Sequence, residues 1–291
     1  MFYIIGLVGV LVMLVVQYLT RKTTNSFLTR LVSGVILVLI ALMSITAGGW
    51  VLYLVSLVLS LIGTFELYRA LGIHKKEGRS VDLLELIGYI SVVLYYLSLI
   101  YMWGSYQLFI ILCALVMLMF VYVFSYPKYN ARQIMEAYFG VIYVGVMLSY
   151  VYQTRSLEYG HYIVWLIFLC SWGCDTCAYC AGRLFGKHKM APVLSPKKTI
   201  EGAIGGVAGA TLLGLIYALA TKGPVLEYMV ICLIGGLISM VGDLSASAIK
   251  RNAGIKDYGN LIPGHGGVMD RFDSVIFTAP IIYFLALTLV K

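Results

Sequence analysis

Charge is scarce in this sequence. Only 12% of its 291 residues are Asp, Glu, Lys or Arg, 61% are hydrophobic, and the mean hydropathy is +0.94. A water-soluble domain has no means of hiding that much apolar surface, so the chain reads as a polytopic membrane protein. Short alternating segments, the mark of a transmembrane β-barrel, are missing. The apolar runs are instead continuous and about 18–25 residues long, as membrane helices require. The expected fold class is all-α, a polytopic integral membrane protein of about ten transmembrane helices. Also missing are a long linker, a low-complexity segment, an internal repeat and the Gly-x4-Gly-Lys-Ser/Thr spacing of a P-loop, which excludes soluble NTPase logic. The N-terminus has neither a basic stretch nor a small-residue cleavage site, so it is expected to be a retained first helix.

Hydropathy places spans near 2–20, 29–46, 48–66, 83–103, 107–125, 136–152, 160–182, 201–220, 226–249 and 268–290. The net charge of +8 does not cluster on a soluble module, so no nucleic-acid partner is expected. Alternate connections between spans hold 18 of the 21 Lys and Arg; only Arg155, Lys222 and Lys291 fall on the other side. The positive-inside rule then makes the basic side cytoplasmic and places both termini outside. Residues 1–152, with six spans, read as an N-terminal scaffold. Residues 153–291, with four spans and cytoplasmic loops, read as the catalytic region. Glu66, at the end of the third span, is the main intramembrane charge of the first half; the two readings are closure against a basic residue and a place at the interface, and the interface is the expectation.

Cys170, Cys174, Cys177 and Cys180 lie in an apolar segment at spacings that form one helical stripe. Small, soft residues on a packing face account for them without a metal. Gly202, Gly205, Gly206 and Gly209 similarly predict close helix contact.

Three constellations carry chemistry. In the first, Asp175 lies well inside an apolar run, where a lone carboxylate costs roughly 2.5–3.5 kcal/mol on insertion scales. Tyr179 is one turn further on the same face. The second runs from Ser195 and Pro196 through Lys197, Lys198 and Thr199 to Glu201 and Gly202. Ser-Pro predicts a helix start with Ser195 as N-cap. Lysines in a first turn oppose the helix dipole unless an anion such as phosphate sits there. In the third, Asp243, Ser247 and Lys250 share a helix face, and a Gly-rich loop with Arg251, Lys256, Asp257, His265, Gly266 and Gly267 follows. Asp270, Arg271 and Asp273 then open the last span. Carboxylates from two helices suit a hard cation that also binds phosphate oxygens.

The stretch from Ser247 to Asp273 resembles the signature of the phosphatidate cytidylyltransferases: Ser, Lys-Arg, Lys-Asp, Pro-x-His-Gly-Gly and Asp-Arg-x-Asp occur in order. The segments beginning at Asp175 and Ser195 resemble that family too, so the likeness covers about residues 171–290. It implies transfer of a cytidylyl group from CTP to phosphatidic acid, giving CDP-diacylglycerol and pyrophosphate. It further implies Mg²⁺ held by Asp243, Asp270 and Asp273, with a second cation such as K⁺. Lys250 and Arg251 join the catalytic set. Asp175, Lys197, Lys198, Ser247, Lys256, Asp257, His265, Gly266, Gly267 and Arg271 are the expected substrate and phosphate contacts. The implied setting is a bacterial-type plasma membrane with the site facing the cytoplasm, and a homodimer. The alternatives are a CTP-dependent kinase of a polyprenol-type lipid and, from another class, an ion or solute transporter.

Overall fold

A computed structural model describes residues 26–74, 81–101, 105–262, 264 and 266–290. The first expected span, the basic residues Lys75, Lys76 and Arg79, and His265 lie outside the described residues. The helices are α1 (Ser26–Ala47), α2 (Gly49–Leu71), α3 (Leu83–Tyr101), α4 (Ser105–Phe124), α5 (Ala131–Arg155), α6 (Gly160–Phe185), α7 (Ile200–Thr221), α8 (Val225–Asn252) and α9 (Met269–Leu289). Among the described residues eight of these, α2 to α9, are long and apolar enough to cross a bilayer. The protein is therefore an integral membrane protein, and its helices follow the expected spans from the second onward within a few residues.

A short antiparallel hairpin, β1 (Lys189–Ala191) with β2 (Ser195–Thr199), joins α6 to α7. It corrects one expectation, because Ser195 and Pro196 do not start a helix. Proline biases the residue before it toward extended backbone, and here that bias feeds a strand. The helix starts four residues later, with Thr199 as N-cap: its Oγ1 accepts from Gly202 N at 3.1 Å. Lys197 and Lys198 thus stand on a strand ahead of α7.

Two helices contain π turns, Val141–Val146 in α5 and Leu169–Gly173 in α6. The chain forms two compact units. One gathers the residues up to Ser149 with Ile255–Arg271; the other gathers Tyr150–Gly254 with Phe272 onward.

In the first unit, Tyr68 is fully buried, and its hydroxyl donates to the Ala137 carbonyl at 2.7 Å. Gly88 and Gly140 make room for its ring, since a Cβ at either would lie within 2.4 Å of Tyr68 atoms. Ile73, Leu84, Ile87, Leu118 and Ile134 pack around it. The buried Glu85 carboxylate accepts from the Tyr89 hydroxyl at 2.5 Å and meets His74 Nδ1 at 3.0 Å, so this intramembrane acid is satisfied locally. An Asn130–Gln133 capping box opens α5.

In the second unit, α6, α7 and α8 approach through small residues, as the cysteine and glycine spacings predict. A Cβ on Gly205 would lie 2.2 Å from Ala181 Cβ, and one on Gly209 would lie 2.5 Å from Cys177 Sγ. Gly206, Gly214 and Gly235 likewise face Cys174, Cys232 and Cys170. All six cysteines are free; Cys170, Cys174 and Cys177 line the packing seam, while Cys180 is exposed.

Candidate active site

The second unit draws charged groups from four elements into its polar cluster. Lys198 on β2 forms an ion pair with Asp243 on α8, each side chain about one quarter exposed (27% and 25%). One turn along α8, the Ser247 hydroxyl points to Asp243 Oδ1 at 3.5 Å, as the i, i+4 spacing requires. From α9, Asp273 lies in the electrostatic field of Asp243, Lys250 and Asp175. Ser274 links the two acids beside it. Its backbone N donates to Asp273 Oδ1 at 2.8 Å, while its hydroxyl stands 3.4 Å from that oxygen and 3.5 Å from Asp175 Oδ2. Three carboxylates, Asp175, Asp243 and Asp273, are thereby gathered with the ammonium groups of Lys198 and Lys250.

The entrance to the hairpin is fastened separately. The Glu201 carboxylate accepts from Lys187 N at 3.0 Å and from His188 N at 3.2 Å, and meets His188 Nδ1 at 2.6 Å. Nearby, Arg183 donates to the Tyr179 hydroxyl at 3.1 Å.

The first unit holds the Gly-rich loop and Asp270. Asp270 Oδ2 accepts from the backbone N–H of Tyr258 at 2.8 Å and of Gly267 at 2.9 Å. Gly266 has a φ of +87°, a backbone that only glycine adopts without strain, and a Cβ there would lie 2.7 Å from Asp270 Oδ2. The loop glycines therefore let backbone approach carboxylates closely. Arg251, Lys256, Asp257 and Arg271 are exposed, as is Lys197 on the hairpin.

Sequence reasoning missed the partners of Glu66. It is buried (3% exposed) and accepts from Val268 N at 3.1 Å and Met269 N at 2.9 Å, capping α9 from another helix. Arg69, one turn on, donates to the Tyr258 carbonyl. The only signal in the sequence was the cost of a carboxylate in an apolar segment. Its partners, two backbone groups two hundred residues away, leave no trace in composition.

Among the described residues no group of three His, Cys, Asp or Glu side chains is placed to enclose a metal ion by itself. Magnesium seldom uses such a cage; it keeps water and substrate phosphate oxygens around one or two carboxylates. The hard oxygen donors of Asp243 and Asp273 fit that habit.

The cytidylyltransferase family profile matches residues 28–289. The chain is similar to the phosphatidate cytidylyltransferase of Staphylococcus aureus, 36% identical over 264 residues, which covers 88% of this chain and 97% of that protein. The protein of the same name from Staphylococcus saprophyticus is 34% identical, with the same coverage. That from Bacillus subtilis is 31% identical over 263 residues, covering 88% of this chain and 96% of the relative. A match spanning nearly every described helix and all three charged constellations establishes that this chain belongs to the cytidylyltransferase family.

Proposed function

We propose that the protein transfers a cytidylyl group from CTP to phosphatidic acid, releasing pyrophosphate and forming CDP-diacylglycerol. The observation that carries this reading is the similarity over 88% of the chain to relatives bearing that activity in their name. In the reaction a phosphate oxygen of the lipid bonds to the α-phosphorus of CTP as the α–β phosphoanhydride bond breaks. Both reactants are anions, so the barrier is largely their repulsion and misorientation.

Each part of the site has work suited to that barrier. Lys197, Lys250, Arg251, Lys256 and Arg271 offset phosphate charge, and Lys198 sets the orientation of Asp243. Ser247 and Ser274 hold the Asp243 and Asp175–Asp273 carboxylates. Asp257, His265, Gly266 and Gly267 belong to the loop that receives phosphate. Asp243 and Asp273, with Asp270 as the third carboxylate of the resemblance, would hold Mg²⁺. The ion would supply charge neutralisation and Lewis acidity at phosphate oxygens. A second cation such as K⁺ belongs to the same proposal.

The catalytic groups come from residues 153–291, with the first 152 residues as scaffold. The basic loops favour a site on the cytoplasmic side, where CTP is present. A homodimer rests on the resemblance alone, because the α7 glycines are already occupied inside the second unit.

Purified protein incubated with phosphatidic acid, Mg²⁺ and CTP labelled in either the base or the γ-phosphate tests the assignment. Base label in the lipid is the expected result. Label from the γ-phosphate in the lipid would instead identify a kinase, and cation flux into liposomes without CTP would identify a transporter.

A further inference from the structure

Glu66 is a buried acid in the half of the chain that carries no recognisable chemistry. Both of its carboxylate oxygens are engaged, Oε1 by Val268 N and Oε2 by Met269 N, the residues just ahead of Asp270. An anion at a helix N-terminus satisfies donors that have no partner within the helix and complements its dipole. Hydrogen bonds to a charged acceptor are also the strong ones. The loop is shaped to this acid. A Cβ on Gly259 would lie 2.2 Å from Glu66 Oε1, and one on Gly267 would lie 2.3 Å from it. Arg69 pulls on the same loop through the Tyr258 carbonyl, while the Tyr258 N–H donates to Asp270. Glu66, Arg69, Tyr258, Gly267 and Asp270 therefore form one connected network within the first unit.

Resting on the functional reading above, we infer that Glu66 is a positioning residue: by holding the α9 N-terminus and the Gly-rich loop, it fixes the direction in which Asp270 is presented. Glu66 touches no substrate in this scheme and acts through the backbone.

Two readouts test this in detergent-solubilised full-length protein. The first is trypsin cleavage at the exposed Lys256 and Arg271. The second is the split between kcat and KM for CTP. Glu66→Ala should speed loop cleavage and lower kcat about tenfold or more, with KM for CTP little changed. Glu66→Gln, which keeps the shape and one good acceptor, should fall between Glu66→Ala and wild type. Gly259→Ala, whose added Cβ would push on the same carboxylate from the loop side, should reproduce the alanine phenotype and replaces Glu66→Ala should that variant fail to fold. Wild-type cleavage and kcat in Glu66→Ala would overturn the inference. So would faster cleavage with an unchanged kcat. A wild-type protein that makes no CDP-lipid would count against the functional reading alone, since the cleavage readout still reports whether Glu66 holds the loop.

Discussion

Replacing Lys198 with Met tests whether its pairing with Asp243 is energetically real. At an effective dielectric of about 20, two unit charges about 4 Å apart attract by ~4 kcal/mol. With each partner one quarter open to solvent, screening and desolvation offset part of this, leaving a net coupling of about 1–3 kcal/mol. Lys198→Met removes one ammonium group and leaves Asp243 facing Asp273 with less compensation, so it should destabilise by about 2–3 kcal/mol. Asp243→Asn alone also breaks the pair but relieves the repulsion on Asp273, so it should cost less. The double variant should be less unstable than the sum of the two. Unfolding in mixed micelles, followed for all four proteins, gives the coupling directly. A coupling within about 0.5 kcal/mol of zero means that the two side chains do not interact, and the electrostatic account of the cluster fails.

Asp273→Asn should abolish CDP-lipid formation while the protein stays folded and inserted by melting and extraction; near-normal turnover at ordinary Mg²⁺ would remove it from the site. Lys197→Ala should raise KM for CTP or for phosphatidic acid, and unchanged kinetics with both would leave it outside the phosphate-binding set. Gly205→Ala drives a Cβ into Ala181 and should cost about 1–3 kcal/mol in stability. A wild-type melting curve would show that α6 and α7 can part cheaply.

The helical plan was legible because the bilayer demands long apolar runs. The Asp243–Ser247 contact was legible for a similar reason: a four-residue spacing on a helix fixes adjacency without knowledge of any other element. Lys198 was picked out, but its partner was not, since a strand-to-helix pairing has no periodicity to reveal it. Ser195 and Pro196 misled because Ser-Pro suits both a helix start and an extended strand, and only pairing with β1 decides. The partners of Glu66 stayed hidden because backbone donors two hundred residues away leave no mark on the sequence around it.

The π turn at Leu169–Gly173 sits immediately upstream of Asp175. Each π turn admits an extra residue without lengthening the helix by a full turn, so it resets the rotational phase of everything after it. The Cys170 part of α6 packs toward α8 on one phase, and Asp175 meets Ser274 on another. Deleting a single residue between 169 and 173 would barely shorten α6, yet it would swing Asp175 by about 100° around the helix axis. At this point the number of residues, as well as their identity, decides where Asp175 is aimed.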